Sequence, residues 1–66
     1  MKIKVIFEGK IKQLKAVKGM SIAELARYND IVLSNYIVKV NNIIVPEDEK
    51  INEKDKIEFL RVISGG

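Results

Sequence analysis

Only one stretch of this chain is built to be a helix, and that limits the possible folds more than anything else in it. Ser21-Ile22-Ala23-Glu24 has the form of a capping box: the Ser21 hydroxyl accepts from an early helix amide while Glu24 reaches back to the amide of the capping residue. Ile22, Leu25 and Ala26 then share one helical face. Asn29-Asp30 follow, and both residue types favour caps and turns, so the helix is short. A lone short helix has no other helix to bury its apolar face against, so it needs a sheet.

The rest of the chain supplies one. Ile3, Val5 and Phe7 alternate with Lys2, Lys4 and Ile6, the pattern of a strand with one wet face. Glu8-Gly9-Lys10 reads as a tight turn, and Ile11 to Val17 as a second, less regular strand completing a hairpin. Lys18-Gly19 breaks it. Past the helix, Ile31-Val32-Leu33 is expected to be a connection with buried side chains. Tyr36 to Val40 alternates as a strand, and Asn41-Asn42 suits a turn through left-handed backbone. Ile43-Ile44-Val45 is a short strand closed by Pro46, which has no N–H for a ladder. A polar loop follows, with Ile51 expected inward, and Ile57 to Ile63 forms the last strand. The order strand, strand, helix, strand, short strand, strand predicts an α+β fold. One main helix covers one face of a mixed four- to five-stranded sheet, with the first and last strands as parallel central neighbours. This is the β-grasp, or ubiquitin-like, architecture. Residues 1–66 are expected to form one such domain, with 64–66 as a flexible tail.

Composition removes whole classes of chemistry. With 66 residues there is room for one small core. The chain has no cysteine and no histidine, so disulfides, thiol chemistry, the familiar nucleophilic triads and soft-metal sites are all excluded. Its four glycines stand at 9, 19, 65 and 66 and make no phosphate-cradling loop. Pro46-Glu47-Asp48-Glu49 is acidic but lacks the spaced oxygens and central glycine of a calcium loop, and reads as a solvated turn with no metal site. An autonomous enzyme is not expected. No apolar run approaches the length of a membrane span, and the N-terminus alternates rather than forming a signal peptide. No membrane association and a cytoplasmic location are the default expectation.

The net charge of +3 is unevenly placed: residues 1–20 carry +5 and residues 21–66 carry −2. A basic hairpin suits nucleic acid or an acidic partner. It equally suits lysines on the wet side of a hairpin, guarding an edge strand. The few aromatic residues lie at apolar positions and offer no platform for stacking bases, so nucleic acid is not the expected partner.

The sequence ends on Gly65-Gly66, directly after the last apolar run. Without a Cβ, two glycines can thread a channel closed to other residues and reach backbone angles that other residues avoid. They would present a bare main-chain carboxylate, which an activating enzyme can convert to an acyl-adenylate. Small residues at a frayed chain end, or a cloning scar, are the plainer alternatives.

Three segments together resemble the small sulfur-carrier proteins of the ubiquitin-like β-grasp superfamily, the ThiS and MoaD type. Val40-Asn41-Asn42-Ile43-Ile44-Val45-Pro46 is similar to the Val-Asn-Gly-x-x-Val-Pro hairpin of the thiamine-pathway carriers. Glu53-Lys54-Asp55-Lys56-Ile57-Glu58 is similar to their Asp-Gly-Asp-x-Val-Glu turn, and Gly65-Gly66 to their ending. The resemblance spans essentially the whole chain. Asn42 and Lys54 depart from it where the family has glycines. The molybdopterin-synthase small subunit is less similar, because no proline precedes the final glycines here.

The resemblance implies a co-substrate with no active site of its own. An E1-like adenylating enzyme, using ATP and magnesium that it holds itself, would activate the Gly66 carboxylate. Sulfur from a sulfur-relay protein or cysteine desulfurase would leave a thiocarboxylate there, for delivery to a thiazole synthase in thiamine biosynthesis. A ubiquitin-like modifier conjugated through Gly66, or an interaction or RNA-binding module, remains an alternative. Alternation also points to a partner surface. With Ile57 and Phe59 facing the helix, Leu60 and Val62 face outward, as do Ile6 and Ile37 by the same logic, while Tyr36, Val38 and Val40 face inward. Ile6, Ile37, Leu60 and Val62, with Arg61 beside them, are the expected partner-binding residues.

Overall fold

A computed structural model describes residues 1–62; the tail expected at 64–66, with Gly65 and Gly66, lies outside the described residues. The elements are β1 (Lys2–Phe7), β2 (Lys10–Lys15), α1 (Ile22–Tyr28), a 3₁₀ turn (Leu33–Asn35), β3 (Tyr36–Val40), β4 (Ile43–Ile44) and β5 (Ile57–Arg61). The five strands form one sheet in the order β2-β1-β5-β3-β4. Strands β1 and β5 pair in parallel at its centre, and every other pairing is antiparallel. With α1 on one face, this is the β-grasp arrangement.

Both hairpin turns depend on left-handed backbone. Glu8 and Gly9 have φ of 51° and 83°, and Asn41 and Asn42 have 53° and 69°. Two central residues at positive φ match the right-handed twist of the strands they join. At Gly9 glycine meets that geometry without a Cβ penalty; at Asn42 asparagine fills the place the family gives to glycine, as its short polar side chain allows.

The helix is capped as its sequence predicts. Glu24 N–H donates to Ser21 Oγ at 3.2 Å, and Ser21 N–H donates to Glu24 Oε1 at 3.0 Å. The acidic turn supplies the rest: the N–H groups of Ile22 and Ala23 donate to the carbonyls of Glu49 and Glu47 at 2.9 and 2.8 Å. Carbonyls from this turn thus satisfy two amides that a helix start leaves orphaned. Asn29 caps the C-terminus and also reaches β2. Its Nδ2 donates to Lys15 O at 2.8 Å, and its Oδ1 accepts from Lys15 N–H at 2.9 Å.

The core lies between α1 and the inner sheet face, with Phe59, Ile22, Leu25, Ile57 and Val5 its largest fully buried side chains. Ile51 is buried, held by its N–H donating to Met20 O at 2.9 Å.

Several boundaries differ from the sequence-based expectation. Strand β2 stops at Lys15 and Val17 is 55% exposed, because its partner β1 starts at Lys2, opposite Lys15, and the ladder closes on the Met1–Ala16 pair. The connection after α1 contains a 3₁₀ turn, in which Leu33 is half-buried while Val32 is exposed. Strand β4 ends at Ile44, although Val45 N–H still donates to Val38 O at 3.1 Å before Pro46 stops the pairing. Strand β5 ends at Arg61, with Val62 N–H donating to Asn35 O at 2.9 Å; Ile63 lies outside the described residues.

Candidate functional site

The outer sheet face and the end of β5 are where the sequence places a partner. Register defines that surface. One row across the sheet runs Ile11, Ile6, Glu58, Lys39, Ile44, and the next pairs Leu60 with Ile37. Ile6 and Leu60 are half-buried, Ile37 is 40% exposed and Val62 is 41% exposed. Alternation thus puts Ile6, Ile37 and Leu60 on one face, with Val62 following at the end of β5. Arg61 is exposed but lies opposite Tyr36, whose ring packs with the core aromatics, so Arg61 belongs to the helix side of the sheet rather than the outer face.

Two apolar residues of this surface escaped the sequence reading. Ile11 is 77% exposed and pairs with Ile6; Ile44 is 64% exposed and pairs with Lys39. The two-residue turn at Glu8-Gly9 carried the signal for Ile11, since counting back from it sets Phe7 opposite Lys10 and Ile6 opposite Ile11. Glu58 interrupts the apolar surface. Its carboxylate lies 3.9 Å from Lys56 Nζ, at a solvent-accessible position where such a pair contributes little.

At the end of β5 the inner face carries an aromatic cluster. The rings of Phe7 and Tyr36 are 5.0 Å apart, those of Phe7 and Phe59 5.6 Å, and Tyr36 meets Phe59 edge-on at 6.1 Å. Separations of this kind favour offset and edge-to-face contacts. Lys12 Nζ lies 4.8 Å from the centre of the Phe7 ring. Tyr36 OH donates to Glu8 Oε2 at 3.2 Å. Partial desolvation, then this bond to a carboxylate, raise the Tyr36 hydroxyl pKa above its ordinary value. The cluster anchors the last described strand to β1 and β3.

A shallow groove of about 370 Å³ lies beside β3, lined by Ile22, Leu33, Tyr36, Val38, Val45 and Glu47 among others. Among the described residues, no three acidic side chains come together to hold a metal ion, and no helix is long and apolar enough to cross a membrane. The geometry of the described residues is that of a five-stranded platform with a half-apolar outer face and β5 at its centre. The ThiS family model matches residues 5–66, from the middle of β1 through the final diglycine, and with that coverage the chain belongs to the ThiS family of small, ubiquitin-like β-grasp sulfur carriers.

Proposed function

We propose that this protein carries sulfur as a thiocarboxylate on Gly66 for the thiazole of thiamine, and acts in the cytoplasm as a co-substrate of other enzymes. The observation that carries the reading is the reach of the family match: it runs through Gly66, so the diglycine lies within the family's own span. An E1-like partner, holding ATP and magnesium, joins the Gly66 carboxylate to AMP with release of pyrophosphate. The persulfide of a sulfur-relay protein or cysteine desulfurase attacks the adenylate and expels AMP, a thiol then cleaves the resulting acyl disulfide to free the thiocarboxylate, and a thiazole synthase receives the sulfur. The chain binds no cofactor of its own. The absence of cysteine from the sequence is compatible with this scheme, because the sulfur sits on the terminal carbonyl carbon rather than on a side chain.

The outer face is the docking surface in this reading. Ile6, Ile37, Leu60 and Val62 lie against the activating enzyme while the residues beyond them enter its active site; Arg61, on the opposite, helix side of the sheet, is not part of that face. Binding energy from the rigid sheet then orients a chain end that has little of its own to be recognised by.

The test is the intact mass of the protein after incubation with its activating enzyme, ATP and a sulfur source. Fragmentation must separate a change at Gly66 from oxidation of Met1 or Met20. Sulfur-for-oxygen exchange on Gly66 supports the carrier. Adducts joining Gly66 to lysines would instead make it a protein modifier, and an unchanged terminus with demonstrably active enzyme would leave an interaction module.

A further inference from the structure

The sheet has two edges, and they are not equivalent. Strand β4 is two residues long and is followed by Pro46, a combination that blunts an edge against further pairing. Strand β2 is six residues long, contains no proline and has only β1 as a neighbour.

Ladder geometry fixes which β2 groups face outward. Ala16 N–H donates to Met1 O at 2.7 Å, and the Met1 amino group donates to Ala16 O at 2.9 Å. Bonded and non-bonded pairs alternate along an antiparallel ladder, so Leu14, Lys12 and Lys10 turn their amides toward β1. Ile11, Gln13 and Lys15 turn theirs away. Lys15 is already satisfied, both its N–H and its C=O being taken by the Asn29 side chain. The side chain of Asn29, the C-cap of α1, thus occupies the edge at this one residue. Ile11 and Gln13 have no hydrogen-bond partner for their main chain among the described residues.

We infer that this free edge of β2 is a docking site for an extended acidic segment of a partner protein, which adds beside Ile11 and Gln13 as a sixth strand. Main-chain bonds to an open edge supply affinity, and alternate side chains supply specificity. Here the flanking side chains select the partner. Lys10 and Lys12 project on the helix side of the sheet, beyond the part of β2 that α1 covers, and Ile11 projects on the other side, 77% exposed. A strand alternating carboxylates with β-branched residues would set its acids by the lysines and an apolar side chain by Ile11. A second copy of this chain pairing edge to edge would instead bring Lys10, Lys12 and Lys15 against their own equivalents, and like charges oppose that. The lysines that repel another basic edge are thus the groups that accept an acidic strand. Docking here leaves Ile37, Leu60 and Val62 uncovered, so a partner could stay bound while the activating enzyme is engaged.

The probe is an acetylated, amidated peptide alternating aspartate with valine, titrated into the full chain and followed amide by amide by NMR. The amides of Ile11 and Gln13 should shift and become protected from hydrogen exchange, while those of Lys10, Lys12 and Leu14, already bonded to β1, keep their protection. Lys12→Glu should weaken binding roughly tenfold, the effect expected from opposing a close charge pair. Gln13→Pro removes one outward N–H and should abolish binding; Lys12→Glu stands as the readout if the proline variant does not fold. Equal binding of a lysine–valine peptide, shifts confined to Ile6, Ile37 and Leu60, or no saturable shift at millimolar peptide would overturn the proposal. So would shifts at Ile11 and Gln13 that depend on protein concentration alone, which indicate self-association, or preferential titration of the same residues by an oligouridylate.

Discussion

At Asn41 and Asn42 two identical side chains do different work. Both lie at positive φ, but Asn41 also ties its turn to the loop before β5: its Nδ2 donates to Asp55 Oδ1 at 3.1 Å and its Oδ1 accepts from Lys56 N–H at 3.0 Å. Its own N–H donates to Lys56 O at 2.8 Å. Asn41→Ala removes both side-chain bonds and leaves a Cβ without compensation in left-handed backbone, so it should cost about 1–3 kcal/mol. Asn42→Gly restores the family's turn residue and should stay within about 0.5 kcal/mol of the parent. Urea unfolding of the two variants checks this, and a loss in Asn41→Ala no larger than that in Asn42→Gly would remove the tie to Asp55 and Lys56 from the stability of the fold. Asparagine's tolerance of the turn is legible in the sequence. The tie to Asp55 and Lys56 is not, because it joins residues 14 and 15 positions apart through a register that only the folded sheet defines.

At the scale of the element, α1 is too short to be stable by itself. Isolated helices below about 12–15 residues are marginal in water, and α1 has seven. Its caps and its burial therefore carry it, and Ser21→Ala should cost about 1 kcal/mol in the same assay. The carboxylate of Glu24 is held below its ordinary value of 4.5, first by accepting from the Ser21 backbone N–H and then from its bond with the Ser21 side chain. A folded-state value below the unfolded one means that the charged form stabilises the fold. That contribution is complete above pH 4.5 and fades as pH falls through the lowered value. Glu24→Gln should therefore flatten this part of the acid limb of stability, and an unchanged slope between pH 5 and 3 would remove Glu24 from it. The capping box and both hairpin turns could be read locally, since each depends on residues a few positions apart. The tie between α1 and β2 could not, because Asn29 bonds the Lys15 main chain from fourteen residues away. The helix-capping carbonyls of Glu47 and Glu49 were hidden for the same reason, behind side chains that say only that the turn is wet.

For the whole molecule, the central position of β5 divides structure from function on alternate residues of one strand. Phe59 is fully buried between β1 and β3 and joins the aromatic cluster. Its truncation to alanine should cost about 3–5 kcal/mol. A domain of this size has only about 3–10 kcal/mol in all, so Phe59→Ala should show a greatly lowered melting temperature or no folded baseline by circular dichroism. Leu60, the next residue, turns to the outer face opposite Ile37 and tests the proposed docking surface instead. A carboxylate there adds a second negative charge beside Glu58 on a surface meant to be covered. Leu60→Asp should therefore raise the KM for this protein in the adenylation reaction by roughly tenfold or more, the effect of losing a central apolar contact in an interface. The kcat should change much less, because the chain end and its chemistry are untouched. The split between the two constants separates docking from chemistry, and the melting temperature separates docking from folding. An unchanged KM in a folded Leu60→Asp protein would take the outer face out of the activation complex. It would leave Arg61 and the residues beyond it to carry recognition, and the apolar row through Ile6 and Ile37 would then await the acceptor enzyme instead.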